Sequence, residues 1–147
     1  MNNIHAQIIE PNLDQVELMK KFIGKWKGEF GDNSKFISEN KPFANGVIST
    51  SQIIKNGKVV ESVSQLYGYD SEMDKFIIAE LKKSSKVIEI CSIWFTSLTT
   101  GEIIITNPQD APFRFEFEFK TPNTLEQKAI QDNKVVNKNT LTHVLKE

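Results

Sequence analysis

Arginine is almost missing from this chain of 147 residues: Lys and Arg total 18, and Arg114 is the one arginine. Without guanidinium forks, bidentate clamps on phosphates or carboxylates are nearly unavailable, which argues against a phosphate-handling enzyme. Cys91 is the sole cysteine, so neither an internal disulfide nor a cysteine-based zinc cluster can form. Histidine is confined to His5 and His143, and a Ser-His-Asp site would have to be built around His143. The formal charge is −1, with acids and bases scattered along the chain, so there is no basic footprint for nucleic acid or an anionic membrane. No apolar window reaches transmembrane length, and Met1–Gln7 has no basic segment leading into an apolar one; the expected location is cytoplasmic. Nucleophile elbows, P-loops, zinc-protease motifs and dinucleotide-binding glycine patterns are missing too.

What is present is strong patterning. Asn12 is suited to cap a helix with Gln15 at its third position and Asp14 in its first turn. Val16, Met19, Phe22 and Ile23 share a face with Leu13 at its edge, Leu18 lies off that face, and Gly24 ends the segment. The pattern predicts one helix of about 13–23. From Lys25 onward, β-branched and aromatic runs alternate with turn clusters, which predicts strands near 25–30, 35–38, 43–54, 58–67, 75–82, 86–95, 101–106, 113–121, 124–131 and 135–145. Asn56-Gly57, Asp132-Asn133, Pro122-Asn123 and Thr100-Gly101 are the expected turns, and connections this short force neighbouring strands to be antiparallel. The stretch Asn107–Pro112 reads as a barrel-end loop. In Phe113-Arg114-Phe115-Glu116-Phe117-Glu118-Phe119-Lys120 the phenylalanines take one face and the charges the other, as in a sheet with one dry side.

The segment Gly24-Lys25-Trp26-Lys27-Gly28-Glu29, placed between helix and meander, resembles the G-x-W opening of the calycins: lipocalins, fatty-acid-binding proteins and bacterial lipocalin-like domains of unknown function. Leu66-Tyr67-Gly68-Tyr69-Asp70 followed by Asp74-Lys75-Phe76 is similar to a G-Y-D turn of those bacterial domains. The resemblance implies an all-β fold, a single antiparallel meander β-barrel of 8–10 strands with one short N-terminal α-helix, as one domain over 1–147 with the barrel about 25–146. It also implies that Trp26 closes one barrel end, covered by a basic side chain from a late strand, for which Lys138 or Lys146 is available. A neighbouring family, the nitrobindin-like haem barrels, shares the G-x-W-x-G opening and carries its iron ligand on a late strand. Leu141-Thr142-His143-Val144-Leu145 resembles that strand, which makes His143 a haem-ligand candidate, although Glu29–Ser34 lacks the haem family's continuation.

Two strands leave their register open. One face of 59–67 carries Glu61, Gln65 and Tyr67, and one face of 87–95 carries Glu89, Cys91 and Ile93. Turned inward, these would gather polar groups in the barrel, where a carboxylate with a raised pKa could act as general acid or base. The preferred alternative turns Glu61 and Glu89 to solvent and sends Ile88, Ile90 and Trp94 to the core.

The expected function is binding of a small apolar or amphipathic molecule inside the barrel, at Trp26, Tyr67, Phe115, Phe117 and His143, without catalysis or a metal. The rivals are a haem barrel using His143, a small enzyme using Glu61 or Glu89, and an oligomer-forming module whose apolar patch lies on the outer sheet or at Leu18.

Overall fold

The computed structural model describes residues 12–145. His5 and Lys146 lie outside them. Ten strands run in order: β1 (Gly24–Glu29), β2 (Ser34–Phe43), β3 (Gly46–Lys55), β4 (Lys58–Asp70), β5 (Lys75–Lys82), β6 (Glu89–Phe95), β7 (Thr100–Asn107), β8 (Arg114–Thr121), β9 (Thr124–Gln131) and β10 (Lys134–His143). Each pairs antiparallel with its sequence neighbours, and β1 pairs with β10 to close the barrel. Closure leaves no unpaired edge, which is how a meander of this length avoids edge-to-edge association.

The hairpin chemistry works as the turn residues dictate. Asn56 and Gly57 both take positive φ, 52° and 75°, as do Asp132 and Asn133 at 51° and 61°, so both turns are of the primed type that matches strand twist. Thr100-Gly101 is not a turn. Both residues begin β7, and Gly101 gives Phe117 room: a Cβ there would fall 2.1 Å from the Phe117 ring. Phe113 likewise precedes β8 and is exposed at the rim, so the dry face of that strand consists of Phe115, Phe117 and Phe119.

The helix is shorter than its pattern suggests. Asp14, not Asn12, is the cap, its Oδ1 accepting from the Glu17 N–H at 3.0 Å. The α-helical part, α1, covers Gln15–Met19 and tightens into a 3-10 turn at Lys20–Phe22, while Gly24 is already in β1. The physical reason is what the ends must bond to. The Phe22 carbonyl, left without a partner at the helix end, accepts from Trp26 Nε1 at 2.9 Å and from Asn40 Nδ2 at 2.7 Å. Leu18 is buried beside Met19 and Phe22, so it belongs to the core and not to a surface patch.

This short segment plugs one end of the barrel. Phe22 meets Phe117 and Phe119 edge-on, with ring centroids 5.2 and 5.0 Å away, and Phe95 at 5.9 Å. Edge-to-face clusters of this kind add to the area each ring buries. The opposite end, where the β3–β4 and β9–β10 hairpins and the β5–β6 and β7–β8 loops gather, carries no such plug among the described residues.

Candidate functional site

Between the plug and the opposite end lies a cavity of about 290 Å³. Pleat alternation brings one side chain in two to it from each strand. The wall from β7–β10 and β1 is mainly apolar, with Ile103, Phe115, Leu125, Leu141 and Trp26. The wall from β2–β6 is mainly polar, and its order follows from the strand registers. Asn40 stands opposite Ser49, Ser49 opposite Gln65, Gln65 opposite Glu80, and Glu80 opposite Glu89. One polar row therefore crosses five strands.

The row is hydrogen-bonded in its middle. The Tyr67 hydroxyl donates to Gln65 Oε1 at 2.9 Å, Gln65 Nε2 donates to Glu80 Oε2, and Lys82 Nζ lies 3.3 Å from Glu80 Oε1. Glu80, 9% exposed, is thus partnered inside the barrel by an amide and an ammonium. Burial raises the Tyr67 phenol, with the Glu80 charge adding to it, so this hydroxyl stays a donor at any ordinary pH. Burial acts to lower the Lys82 pKa, but Glu80, Glu89 and Glu61 outweigh it and the ammonium is held above its usual value. Cys91, two residues along β6 on the same face as Glu89, is pushed up to about 12 by burial and by the Glu89 and Glu80 charges. Its thiol is a 3.8 Å donor to Glu89 Oε1 and not a nucleophile.

The register preferred from the pattern is reversed. Gln65, Tyr67, Glu89, Cys91 and Ile93 line the cavity, whereas Ile88 is exposed and Trp94 lies on the outer face beneath Lys75, whose Nζ is 3.8 Å from the indole centroid. Cation–π contact gives that outward indole a partner, which is why its size does not force it inside. Glu61 shares the inward alternation but sits at the rim beside the bulge of β4, bonded to the Ser84 hydroxyl and to the Ser84 N–H at 3.2 Å. The Ser84 hydroxyl holds its carboxyl below the usual range, the opposite of what a general acid at neutral pH needs.

Of the residues expected in the site, Trp26, Tyr67 and Phe115 line the cavity together with Glu89. Phe117 lies in the aromatic layer under the plug, packed on Phe22 and Phe95, and does not line it. His143 is the direct partner of Trp26 on β10 and covers it, ring centroids 4.9 Å apart. It thereby takes the place expected of Lys138, which instead joins Glu126 at 3.2 Å on the outer face. The imidazole does not fit a haem ligand. Nδ1 is buried without a hydrogen-bond partner, and Nε2 lies against Gly24, 2.2 Å from where a Cβ would be. His143 is not among the residues that line the cavity.

Glu80 and Lys82 escaped the sequence reading because Phe76-Ile77-Ile78-Ala79-Glu80-Leu81 is apolar on both faces. A signal existed in the hairpin: pairing back from the Asp70–Lys75 connection puts Gln65 against Glu80.

No protein-family model matches the chain, and no curated protein matches it at a significant level. No helix among the described residues is long and apolar enough to cross a membrane, and no group of three or more His, Cys, Asp or Glu among them could hold a metal ion.

Proposed function

We propose that the barrel binds one small amphipathic molecule, with its hydrocarbon against Trp26, Phe36, Phe115 and Leu125 and its polar end at the Gln65–Glu80–Glu89 row. The observation that carries the reading is the division of one cavity into a polar and an apolar wall. A barrel interior that serves only as a core has no use for a crossing row of amides, hydroxyls and carboxylates, since each must be desolvated and hydrogen-bonded. At about 290 Å³ the space is at the small end of ligand pockets, which typically span about 300–1,000 Å³. The likeness to calycins fits this reading: a helix on one end, a G-x-W tryptophan under it, and a meander around a cavity. No catalytic step is part of the proposal.

The two tryptophans make it testable. Trp26 faces the cavity and Trp94 the outside. In a Trp94→Phe variant, a small apolar alcohol such as octanol should change the remaining fluorescence in a saturable way. A response that is linear in concentration, or none, counts against an enclosed site.

A second reading has one observation in its favour. Ile48 and Leu66 are direct cross-strand partners on the outer face of β3 and β4, both exposed, and the exposed Leu81 on β5 lies diagonal to Leu66. Such a patch suits association between copies. Sedimentation of the Leu66→Glu variant tests it: a wild-type dimer that becomes monomeric supports the reading, and a wild-type monomer removes it.

A further inference from the structure

We infer that the polar end of the ligand is cationic, an ammonium or another group bearing N–H donors; this rests on the binding reading above and narrows it. Three charged side chains line the cavity, Glu80, Lys82 and Glu89, so carboxylates outnumber ammonium groups two to one. Lys82 is committed to Glu80 at 3.3 Å. Glu89 makes no salt bridge among the described residues, although its charge reaches the Lys82 ammonium, and its side-chain hydrogen bond is from the Cys91 thiol at 3.8 Å, a weak donor. A carboxylate in a half-enclosed space with so little compensation attracts a positive charge and repels a second anion.

The neutral members of the polar wall are compatible with such a head. Ser49, a member of the row, and Ser51 line the same polar wall of the cavity. A hydroxyl can accept from an N–H, though less strongly than a carboxylate, so a donor-rich head can bond the serines and the carboxylate together. A carboxylate head would meet Glu89 with the same sign and find the Lys82 ammonium already engaged. Glu89 stands at the start of β6, toward the unplugged end, so the cation lies near the mouth and the apolar tail reaches down to Trp26.

Three probes of one chain length separate the possibilities: octylammonium, octanol and octanoate, titrated calorimetrically into the full chain. Octylammonium should bind at least about tenfold more tightly than the other two, a difference of about 1.4 kcal/mol. In Glu89→Gln, with its fold checked by near-UV circular dichroism, octylammonium and octanol should become equal. If octanol or octanoate binds as well as octylammonium to the wild-type protein, the cationic assignment is overturned while the ligand-binding reading stands. If none of the three binds, both fall. The wild-type comparison decides the matter even if the variant does not fold.

Discussion

Gln15 is joined to Phe95 through both ends of its carboxamide: Nε2 donates to the Phe95 carbonyl at 3.0 Å and Oε1 accepts from the Phe95 N–H at 2.8 Å. One side chain thus stands in for a strand partner at the end of β6, and it ties the plug to the barrel wall 80 residues away in sequence.

Replacing Gln15 by Leu keeps volume but strands a buried donor and a buried acceptor. The expected cost is about 2–4 kcal/mol, from roughly 1–3 kcal/mol for each unsatisfied group with partial relaxation. Urea unfolding measures it, and a loss within 0.5 kcal/mol would show that the plug is not held by this contact.

Gly101→Ala should destabilise through overpacking. The new Cβ would lie 2.1 Å from Phe117 Cζ and 2.3 Å from the Trp94 carbonyl oxygen. Insertions of this kind cost about 1–3 kcal/mol. Adding Phe117→Leu should recover only part of the loss, because the backbone clash at Trp94 remains; thermal denaturation of the single and double variants measures both.

The Glu61 carboxyl titrates below the ordinary range because the Ser84 hydroxyl and the Ser84 N–H bond its charged form. A lowered folded value means that its contribution to stability is present above the unfolded value, about 4.3, and is lost as pH falls through the folded one. Ser84→Ala should move the carboxyl resonance midpoint upward in an NMR titration. An unmoved midpoint would mean that the hydroxyl bond is not what holds it down.

Cys91, with its thiol pushed up to about 12, should resist alkylation in the native protein. At pH 8 its thiolate fraction is on the order of one part in ten thousand, against about a quarter for a free cysteine. Iodoacetamide labelling followed by mass spectrometry should be slow when native and fast in urea. Comparable rates would place Cys91 in a far more open setting.

Much of this architecture was legible in the sequence, for reasons that are local. The ten strands follow from alternation and turn residues, with Asn56-Gly57 and the phenylalanines of β8 the clearest cases. The inner face of β6 was not legible, because Ile88, Ile90 and Trp94 are as apolar as Val87, Cys91 and Ile93. Alternation cannot choose between two apolar faces; the choice is made by Lys75 over Trp94 and by the polar row, both of which are cross-strand relationships. Trp26, Tyr67 and Phe115 were recognised as cavity residues from motif and pattern. Glu80 was not, since its partners Gln65 and Lys82 come into play only once β4 and β5 are in register. The placement of His143 over Trp26 depends in the same way on closure of β1 against β10, a pairing between chain ends that no window of sequence displays.

The central claim, that the barrel encloses one amphipathic site, is tested most directly by native against denaturing mass spectrometry before and after incubation with octylammonium, octanol and octanoate. The account predicts an added mass of one molecule per chain in the native spectrum, from the purified protein itself or after incubation, that disappears on denaturation. A native mass equal to that of the bare chain throughout, with none of the probes retained, would contradict it.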